Sequence, residues 1–315
     1  MTSVEADAQT RKLCLVLGGG GARGLAHLGV LRVLQRENIV IHSLVGTSAG
    51  SIAAAMYSME PDAEKMIERA LEYLESSEFK KLGLGSFHQS NGQKLSFFEQ
   101  IYLGLKKRWA LKYLFTREAI FRNDLLDRIV GALVPDGLIE ESKVPFAITA
   151  LDLIHGEEVV IENGDLHSAL VASSSIPGYF HPVPREDRLL VDAGIINSVP
   201  VKVARRLGGD FILAVNLNPE LQPMDTFGSG IEIIFRAEEI GTRHISEINQ
   251  AEADFSIHPN VSQTYWLDFS GVPQLIAEGE KAAEAALPEI RAALRAPSPH
   301  RSPGFLDRLS WDETA

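Results

Sequence analysis

The sequence predicts an α/β fold: a three-layer sandwich with a mostly parallel central sheet and a helical cap or insertion. Short apolar runs alternate with segments of helical periodicity, the pattern of strands joined by crossover helices. A glycine run follows the first apolar run, and a GxSxG pentapeptide follows the second. Because loops after neighbouring parallel strands open at one edge of a sheet, both motifs are expected to lie there together.

The first elements of the chain surround these two motifs. KLCLVL (12–17) is a buried strand, and the helix after the glycines carries leucines three residues apart along one face. SLVG (43–46) is a second strand, which leads into a helix of small residues, TSAGSIAAAMYSM (47–59). PDAEKMIERALEYLESS (61–77) is amphipathic and is predicted to begin as a helix at its proline.

Residues 80–120 break this alternation and predict an insertion or cap, at about 80–122, within a single domain of residues 1–295. Its segment 97–115 sets aromatic and apolar side chains beside a cluster of lysines and an arginine. That combination suits peripheral contact with anionic lipid headgroups. It equally suits a helical cap whose apolar residues pack on the domain.

The α/β pattern returns after the insertion. Two strands, PFAITALDL and EEVVIEN, are separated by a hairpin turn at His155 and Gly156. The elements predicted next are a helix DLHSALVASSS, a strand RLLVD, a helix VPVKVARRLG, a strand DFILAVNLNP, a helix GIEIIFRAEEIGTRHISEINQAEA and a strand ADFSIHP. A late helix, QLIAEGEKAAEAALPEIRAALRA, is expected to be interrupted at Pro288. The tail 296–315 is rich in proline and serine and is expected to be poorly ordered.

Composition excludes several classes of protein. The 315 residues hold 30 Lys+Arg against 42 Asp+Glu, a formal charge of −12 that argues against a nucleic-acid partner. Cys14 is the single cysteine, so an internal disulfide and a cysteine-rich zinc site are excluded. No signal peptide or membrane-spanning run is recognised, which predicts a cytoplasmic protein with peripheral contact to the inner face of the membrane. The oligomeric state stays open.

The glycine run in LVLGGGGARGLAHLGVL (15–31) has three interpretations. Backbone without side chains could approach a nucleotide phosphate, form a tight structural turn, or approach an anion that forms during catalysis. Gly19, Gly21 and Gly24 satisfy GxGxxG, the dinucleotide pattern. That mechanism also needs an acidic residue after the next strand, where Thr47 and Ser48 stand instead. No Gly-Lys-Ser/Thr follows either, so a nucleotide-binding dehydrogenase is the least favoured interpretation.

The pentapeptide GTSAG (46–50) predicts an exposed nucleophilic serine on a sharp strand-to-helix turn. Gly46 and Gly50 would remove side chains where the backbone crowds around Ser48. Backbone N–H groups of the glycine run could then hold the oxyanion that forms when the serine attacks an ester. The alternative is a serine that only caps a helix.

Two charged residues complete the candidate site. Arg23 could anchor the glycine loop or favour an anion, with a surface salt bridge as the alternative. None of the nine histidines lies in a recognisable base motif, whereas Asp192 in RLLVDAG ends a predicted strand and is followed by Gly194 in a turn. Burial against the strand would raise the pKa of Asp192 from about 3.9 toward the range of a general base. An ordinary turn aspartate is the alternative.

Taken in chain order, GGGGARG, GTSAG, ASSSIPGYFHPV (172–183) and DAG followed by Asn197 and Pro200 resemble the patatin-like phospholipase family. The resemblance implies that Ser48 is the nucleophile and Asp192 the base of a dyad without histidine. It also implies that Gly19, Gly20 and Gly21 form the oxyanion loop, with Arg23 in the family's basic position. Ala193 stands where many members have glycine.

The resemblance implies a lipid acyl hydrolase that cleaves the carboxylic ester of a lipid or lysophospholipid through an acyl-enzyme, with no metal and no cofactor. The same intermediate could pass its acyl group to another alcohol, which would make the protein a transferase. A non-catalytic lipid-binding or regulatory protein on the same scaffold is the alternative from another class.

Overall fold

The computed structural model describes residues 11–81 and 118–297. The segment 97–115, with its proposed lipid contact, and most of the insertion predicted at 80–122 lie outside the described residues. So does nearly all of the tail 296–315, and the extent of the domain stays a prediction.

One mixed sheet forms the centre of the described residues. Its strands are β1 (Leu13–Leu17), β2 (Ile41–Thr47), β3 (Phe146–Asp152), β4 (Glu157–Ile161), β5 (Val183–Arg185), β6 (Arg188–Asp192), β7 (Phe211–Val215) and β8 (Phe255–Ile257). Their order is β5-β6-β3-β2-β1-β7-β8, with β4 also paired to β3. The run from β8 through β7, β1 and β2 to β3 is parallel, whereas β4, β5 and β6 pair antiparallel.

The helices connect these strands. They are α1 (Leu25–Arg36), α2 (Ala49–Met59), α3 (Ala63–Glu75), α4 (Ser77–Lys81), α5 (Asp124–Leu133), α6 (Leu166–Ser174), α7 (Gly194–Asn197), α8 (Val201–Arg206), α9 (Gly230–Gln250) and α10 (Val272–Arg295). Short 3-10 turns add Gly21–Gly24 and Ile139–Glu141.

Side chains of the fully buried strand β1 point alternately to the two faces of the sheet, which shows why helices cover both faces. Leu13, Leu15 and Leu17 point into the larger core, which α1, α2 and α10 share. Cys14 and Val16 point the other way, into a smaller core built with α8. The predicted α/β sandwich with a mostly parallel sheet is therefore confirmed.

Two predicted helix boundaries are wrong. The last helix is not interrupted at Pro288 but runs unbroken from Val272 to Arg295. Pro288 lies on its exposed face, so the carbonyl left without an N–H donor can be solvated. The third helix begins after Asp62, whose side chain accepts a hydrogen bond from the Lys65 amide at 3.2 Å, rather than at Pro61.

The offset between β2 and β3, which leaves the carboxyl end of β3 extending past the end of β2, creates the geometry of the site. Strand β4 pairs with residues 148–152 along one side of β3. On the other side, β2 pairs only with residues 146–149, and antiparallel β6 pairs with residues 150–152. The carboxyl end of β6 is therefore directed at the carboxyl end of β2.

Candidate active site

Ser48 stands at the turn where β2 ends and α2 begins. Its backbone has φ 54° and ψ −126°, a left-handed conformation that is unusual for a residue with a side chain. Two bonds hold this strained turn: the Ser48 N–H donates to Ser173 Oγ at 2.9 Å, and the Ser48 carbonyl accepts from Ser51 Oγ at 2.6 Å. The predicted serine turn is present, and the Ser48 side chain is buried rather than freely exposed.

Glycines make this turn possible because other backbone passes very close to it. A Cβ atom on Gly50 would lie 2.0 Å from the Leu17 carbonyl oxygen, and one on Gly46 would lie 2.5 Å from the Gly50 carbonyl oxygen. Both separations are far below van der Waals contact. The two glycines of GTSAG therefore let α2 start directly against the end of β1.

Replacing Gly50 with alanine should destabilise the protein by about 3 kcal/mol or more, because backbone atoms cannot move aside as a flexible side chain would. Urea unfolding of Gly50→Ala measures this loss. Gly241→Ala is the matched control, since its Cβ would meet no atom within 4 Å on helix α9. That exchange should be neutral or stabilise by about 0.5–1 kcal/mol. Equal stabilities for the two variants would contradict the expected crowding.

Asp192 is brought to Ser48 by the pairing of β6 with β3. Its N–H donates to the Ser175 carbonyl at 3.0 Å, and its Oδ1 accepts from the Gly194 N–H at 2.8 Å. Burial raises the pKa of the carboxyl from 3.8 to about 6, although hydrogen bonds from the Ser48 hydroxyl and the Gly194 N–H partly oppose this rise. The carboxylate thus meets the hydroxyl of Ser48 with a pKa suited to accepting a proton near neutral pH.

The glycine loop lies beside these two residues, and its amides divide into two pairs. A Cβ on Gly19 would lie 3.5 Å from Ser48 Cβ, which places the loop against the serine. Gly18 N–H donates to the Val215 carbonyl and Gly19 N–H to the Ser198 carbonyl, each at 3.0 Å. Within the described part of the chain, no acceptor is found for the N–H groups of Gly20 and Gly21. Those two amides remain free to bind an anion.

A third free amide comes from helix α2. As the first residue of the helix, Ala49 has no carbonyl one turn earlier to receive its N–H. The same helix end carries the positive pole of the helix dipole. Gly21 and Ala49 both line the cavity that opens at Ser48, so the amides of the loop and of the helix are neighbours there.

Arg23 and His27 hold the glycine loop through hydrogen bonds to two of its carbonyls. Arg23 Nε donates to the Gly20 carbonyl at 3.2 Å, and burial lowers the pKa of the guanidinium to about 10, opposed in part by the charge of Glu239. In residues 11–81 and 118–297 Arg23 forms no ion pair, so the surface salt bridge considered above is not found there. His27 Nε2 lies 2.7 Å from the Gly18 carbonyl oxygen, and full burial lowers its pKa to about 4, so the ring is neutral and donates.

Ser48 lines an apolar cavity of about 140 Å³. Its walls are mainly aliphatic and aromatic side chains contributed by α1, α2, α5 and the segment around Trp266. Cavities of about 150 Å³ lined by such side chains stay dry and accept a benzene-sized group. The cavity is therefore suited to a hydrocarbon chain rather than to a polar or charged group.

Side chains that could hold a metal ion do not cluster in groups of three or more within the described ranges. Nor does any helix in those ranges combine the length and the apolar character needed to cross a bilayer.

Sequence reasoning missed two residues that contact the site directly but lie far from Ser48 and the glycine run along the chain. Ser173 bonds to the Ser48 amide, and Ser198 supplies the carbonyl that occupies the Gly19 amide. The run SSS (173–175) was a usable signal, because polar residues at the end of an apolar helix need partners. Ser198 carries no such signal, since its carbonyl is common to every residue type.

The fold is shared with a solved lipid-cleaving enzyme. Human GIVD cytosolic phospholipase A2 superposes with a TM-score of 0.51 at 14% sequence identity, covering 93% of this chain and 61% of that enzyme. The chain thus has the α/β fold of that class of phospholipases. The family model described as Patatin-like phospholipase matches residues 15–205, which contain all four motifs. The chain belongs to the patatin-like phospholipase family.

Curated relatives cover most of the chain. An uncharacterized NTE family protein of Mycobacterium tuberculosis is 29% identical over a match 303 residues long, and the match covers 88% of this chain and 46% of the relative. Patatin-like phospholipase domain-containing protein 6 of Homo sapiens is 27% identical over 222 residues, 70% of this chain and 14% of the relative. The chain thus spans less than half the length of these two relatives.

Proposed function

We propose that this chain is a serine acyl hydrolase that cleaves the carboxylic ester of a phospholipid or lysophospholipid, with Ser48 as nucleophile and Asp192 as base. One observation carries the proposal: a strained, buried serine, hydrogen-bonded to a carboxyl group of raised pKa, lies in the wall of an apolar cavity. Buried strain and a perturbed pKa in one pocket are typical of catalytic residues. The family membership and the phospholipase fold support the same chemistry.

In the first half-reaction Asp192 accepts the proton of Ser48 as Oγ attacks the ester carbonyl carbon. The carbonyl oxygen becomes negative and is held by the free N–H groups of Gly20, Gly21 and Ala49, each worth about 2.7–4 kcal/mol in the transition state. Gly19 is left out of this set because its amide already donates to Ser198. The intermediate collapses when the C–O bond to the alcohol breaks, and Asp192 returns the proton to the leaving oxygen.

In the second half-reaction water attacks the acyl-enzyme. Asp192 removes one proton from the water, the same amides hold the second oxyanion, and the carboxylic acid leaves as the proton returns to Ser48. An alcohol that takes the place of this water would accept the acyl group instead, which is the transferase outcome. The mechanism uses no metal or cofactor at any step.

The cavity favours a lipid as the substrate, because its apolar walls suit an acyl chain whose carbonyl would reach Ser48. Arg23 favours a headgroup that carries a phosphate, since it is a half-buried cation without an ion-pair partner in the described ranges and lies against the glycine loop.

Intact-mass analysis after treatment with a long-chain alkyl fluorophosphonate tests the proposal. We expect one adduct that maps to Ser48, followed by release of fatty acid from a panel of phosphatidylcholine, lysophosphatidylcholine and an uncharged ester of the same chain. Faster cleavage of the phosphate-bearing lipids would support the role of Arg23. Folded protein that takes up no adduct, with and without vesicles, would instead favour the non-catalytic lipid-binding interpretation.

A further inference from the structure

Three consecutive serines end helix α6, and two of them hold the proposed catalytic residues. Ser173 Oγ accepts the Ser48 N–H at 2.9 Å. The Ser175 carbonyl accepts the Asp192 N–H at 3.0 Å, while its own hydroxyl donates to the Val171 carbonyl at 2.7 Å. Ser173 and Ser175 therefore fix the nucleophile and the base through backbone and side-chain bonds.

Ser174, by contrast, is hydrogen-bonded through its side chain to neither Ser48 nor Asp192 within the described ranges. Only 6% of its surface is exposed, and within the described ranges its Oγ is a buried oxygen without a hydrogen-bond partner. Leaving a buried hydroxyl unsatisfied costs about 1–3 kcal/mol, which an alanine in the same place would avoid. Ser174 also lines the cavity at Ser48. A buried hydroxyl that lacks a partner in the wall of a binding cavity is accounted for when a bound ligand supplies that partner.

The position of Ser174 next to Ser173 indicates how far from Ser48 the ligand atom that bonds to it would lie. Because Ser173 touches the Ser48 backbone, the next residue lies near the reacting end of the cavity rather than at its far end. An acyl chain that starts at Ser48 would pass Ser174 within its first few carbons. A plain hydrocarbon chain would seal the hydroxyl from water with nothing to bond, whereas a chain with an oxygen at that depth would pair with it.

We propose that Ser174 is a specificity-determining residue that selects acyl groups with a hydrogen-bonding oxygen close to the ester carbonyl, such as 3-hydroxyacyl chains. The inference rests on the proposed function, because it takes the cavity as the subsite for the acyl chain. Sites that hydrogen-bond a substrate hydroxyl discriminate strongly against the analogue that lacks it, since their own polar group is then left unpaired.

The test compares kcat/KM for 3-hydroxydecanoyl and decanoyl esters of one alcohol. The unmodified chain should prefer the hydroxylated ester by about 10–100-fold, the ratio that a paired against an unpaired buried hydroxyl supports. Ser174→Ala should reduce the ratio to near one, mainly by raising kcat/KM for the plain chain. Ser174→Thr retains a hydroxyl and should keep the preference.

Ser48 should still be labelled by the fluorophosphonate in Ser174→Ala, and faster than in the unmodified chain because the probe carries a plain alkyl chain, which separates a change of specificity from damage to the nucleophile. Equal rates for the two esters in the unmodified chain would overturn the inference and leave the hydrolase proposal standing. An equal loss of both activities in Ser174→Ala would also overturn it, since that result means a general role in catalysis or folding. If neither ester is cleaved and Ser48 takes up no label, the proposed function fails and this inference with it.

Discussion

Replacing Ser48 with alanine should abolish the fluorophosphonate adduct and lower kcat for ester hydrolysis by about 10⁴-fold or more. Removal of the nucleophile eliminates the covalent intermediate, and the free amides alone can retain only a small residual acceleration. The change deletes one oxygen and preserves the backbone bond from Ser48 to Ser173, so the fold should survive. Burst kinetics on a chromogenic ester and intact-mass analysis measure both effects.

Ser77→Ala is the matched control, because Ser77 is an exposed serine that begins helix α4, away from the described cavity. It should label and turn over as the unmodified chain does. An adduct that persists on folded Ser48→Ala would mean that another residue reacts, and the assignment of the nucleophile would then be wrong.

Replacing Asp192 with asparagine should have an unusual pair of effects: activity falls by about 10²–10⁴-fold, the usual contribution of a general base, while the protein becomes more stable at pH 8. Asparagine keeps an oxygen for the Gly194 N–H but cannot accept the serine proton. It also removes a buried negative charge, whose burial raises the pKa from 3.8 to about 6.

The sign of the stability change follows from proton linkage. Between pH 4 and 6 the folded carboxyl still holds a proton that the unfolded chain has lost, so this group favours folding at low pH. As pH rises through 6 the folded carboxyl ionises and that advantage disappears, which costs up to about 3 kcal/mol at pH 8. Asp192→Asn avoids this penalty. Urea unfolding at pH 4 and pH 8 should therefore show a gain confined to the higher pH.

The pH–rate profile gives a second readout of the same group. Because the base must be ionised, kcat/KM should rise with a pKa of about 6 and then level off. Asp225→Asn, a change at an exposed carboxyl, should alter neither the profile nor the stability. A profile with no ionisation between pH 5 and 7 would contradict the role of Asp192.

The fold class was predictable because short, wholly apolar runs such as β1, which is buried on both faces of the sheet, alternate with segments of helical periodicity. Ser48 and Gly50 were predictable for a related reason: a serine turn packed against a neighbouring strand tolerates few residue types. Pro288 misled the prediction because a local rule cannot tell whether the freed carbonyl faces solvent.

Other parts of the site depend on contacts that no local pattern carries. Which amides of the glycine run stay free is decided by Ser198 and Val215, whose carbonyls occupy Gly19 and Gly18. The approach of Asp192 depends on β3 extending beyond β2, because only the unpaired end of β3 can receive β6. Both are properties of the assembled sheet.

The hydrogen bond between Ser48 and Ser173 also bears on the kinetics of folding. Ser48 and Ser173 are 125 positions apart, so the serine turn is secured by one of the less local contacts of the fold. Contacts of high sequence separation form slowly, because a long loop must close before they stabilise anything. During refolding, helices should therefore return before reactivity at Ser48 does. The time at which Ser48 becomes reactive toward an active-site label would then report the last stage of folding.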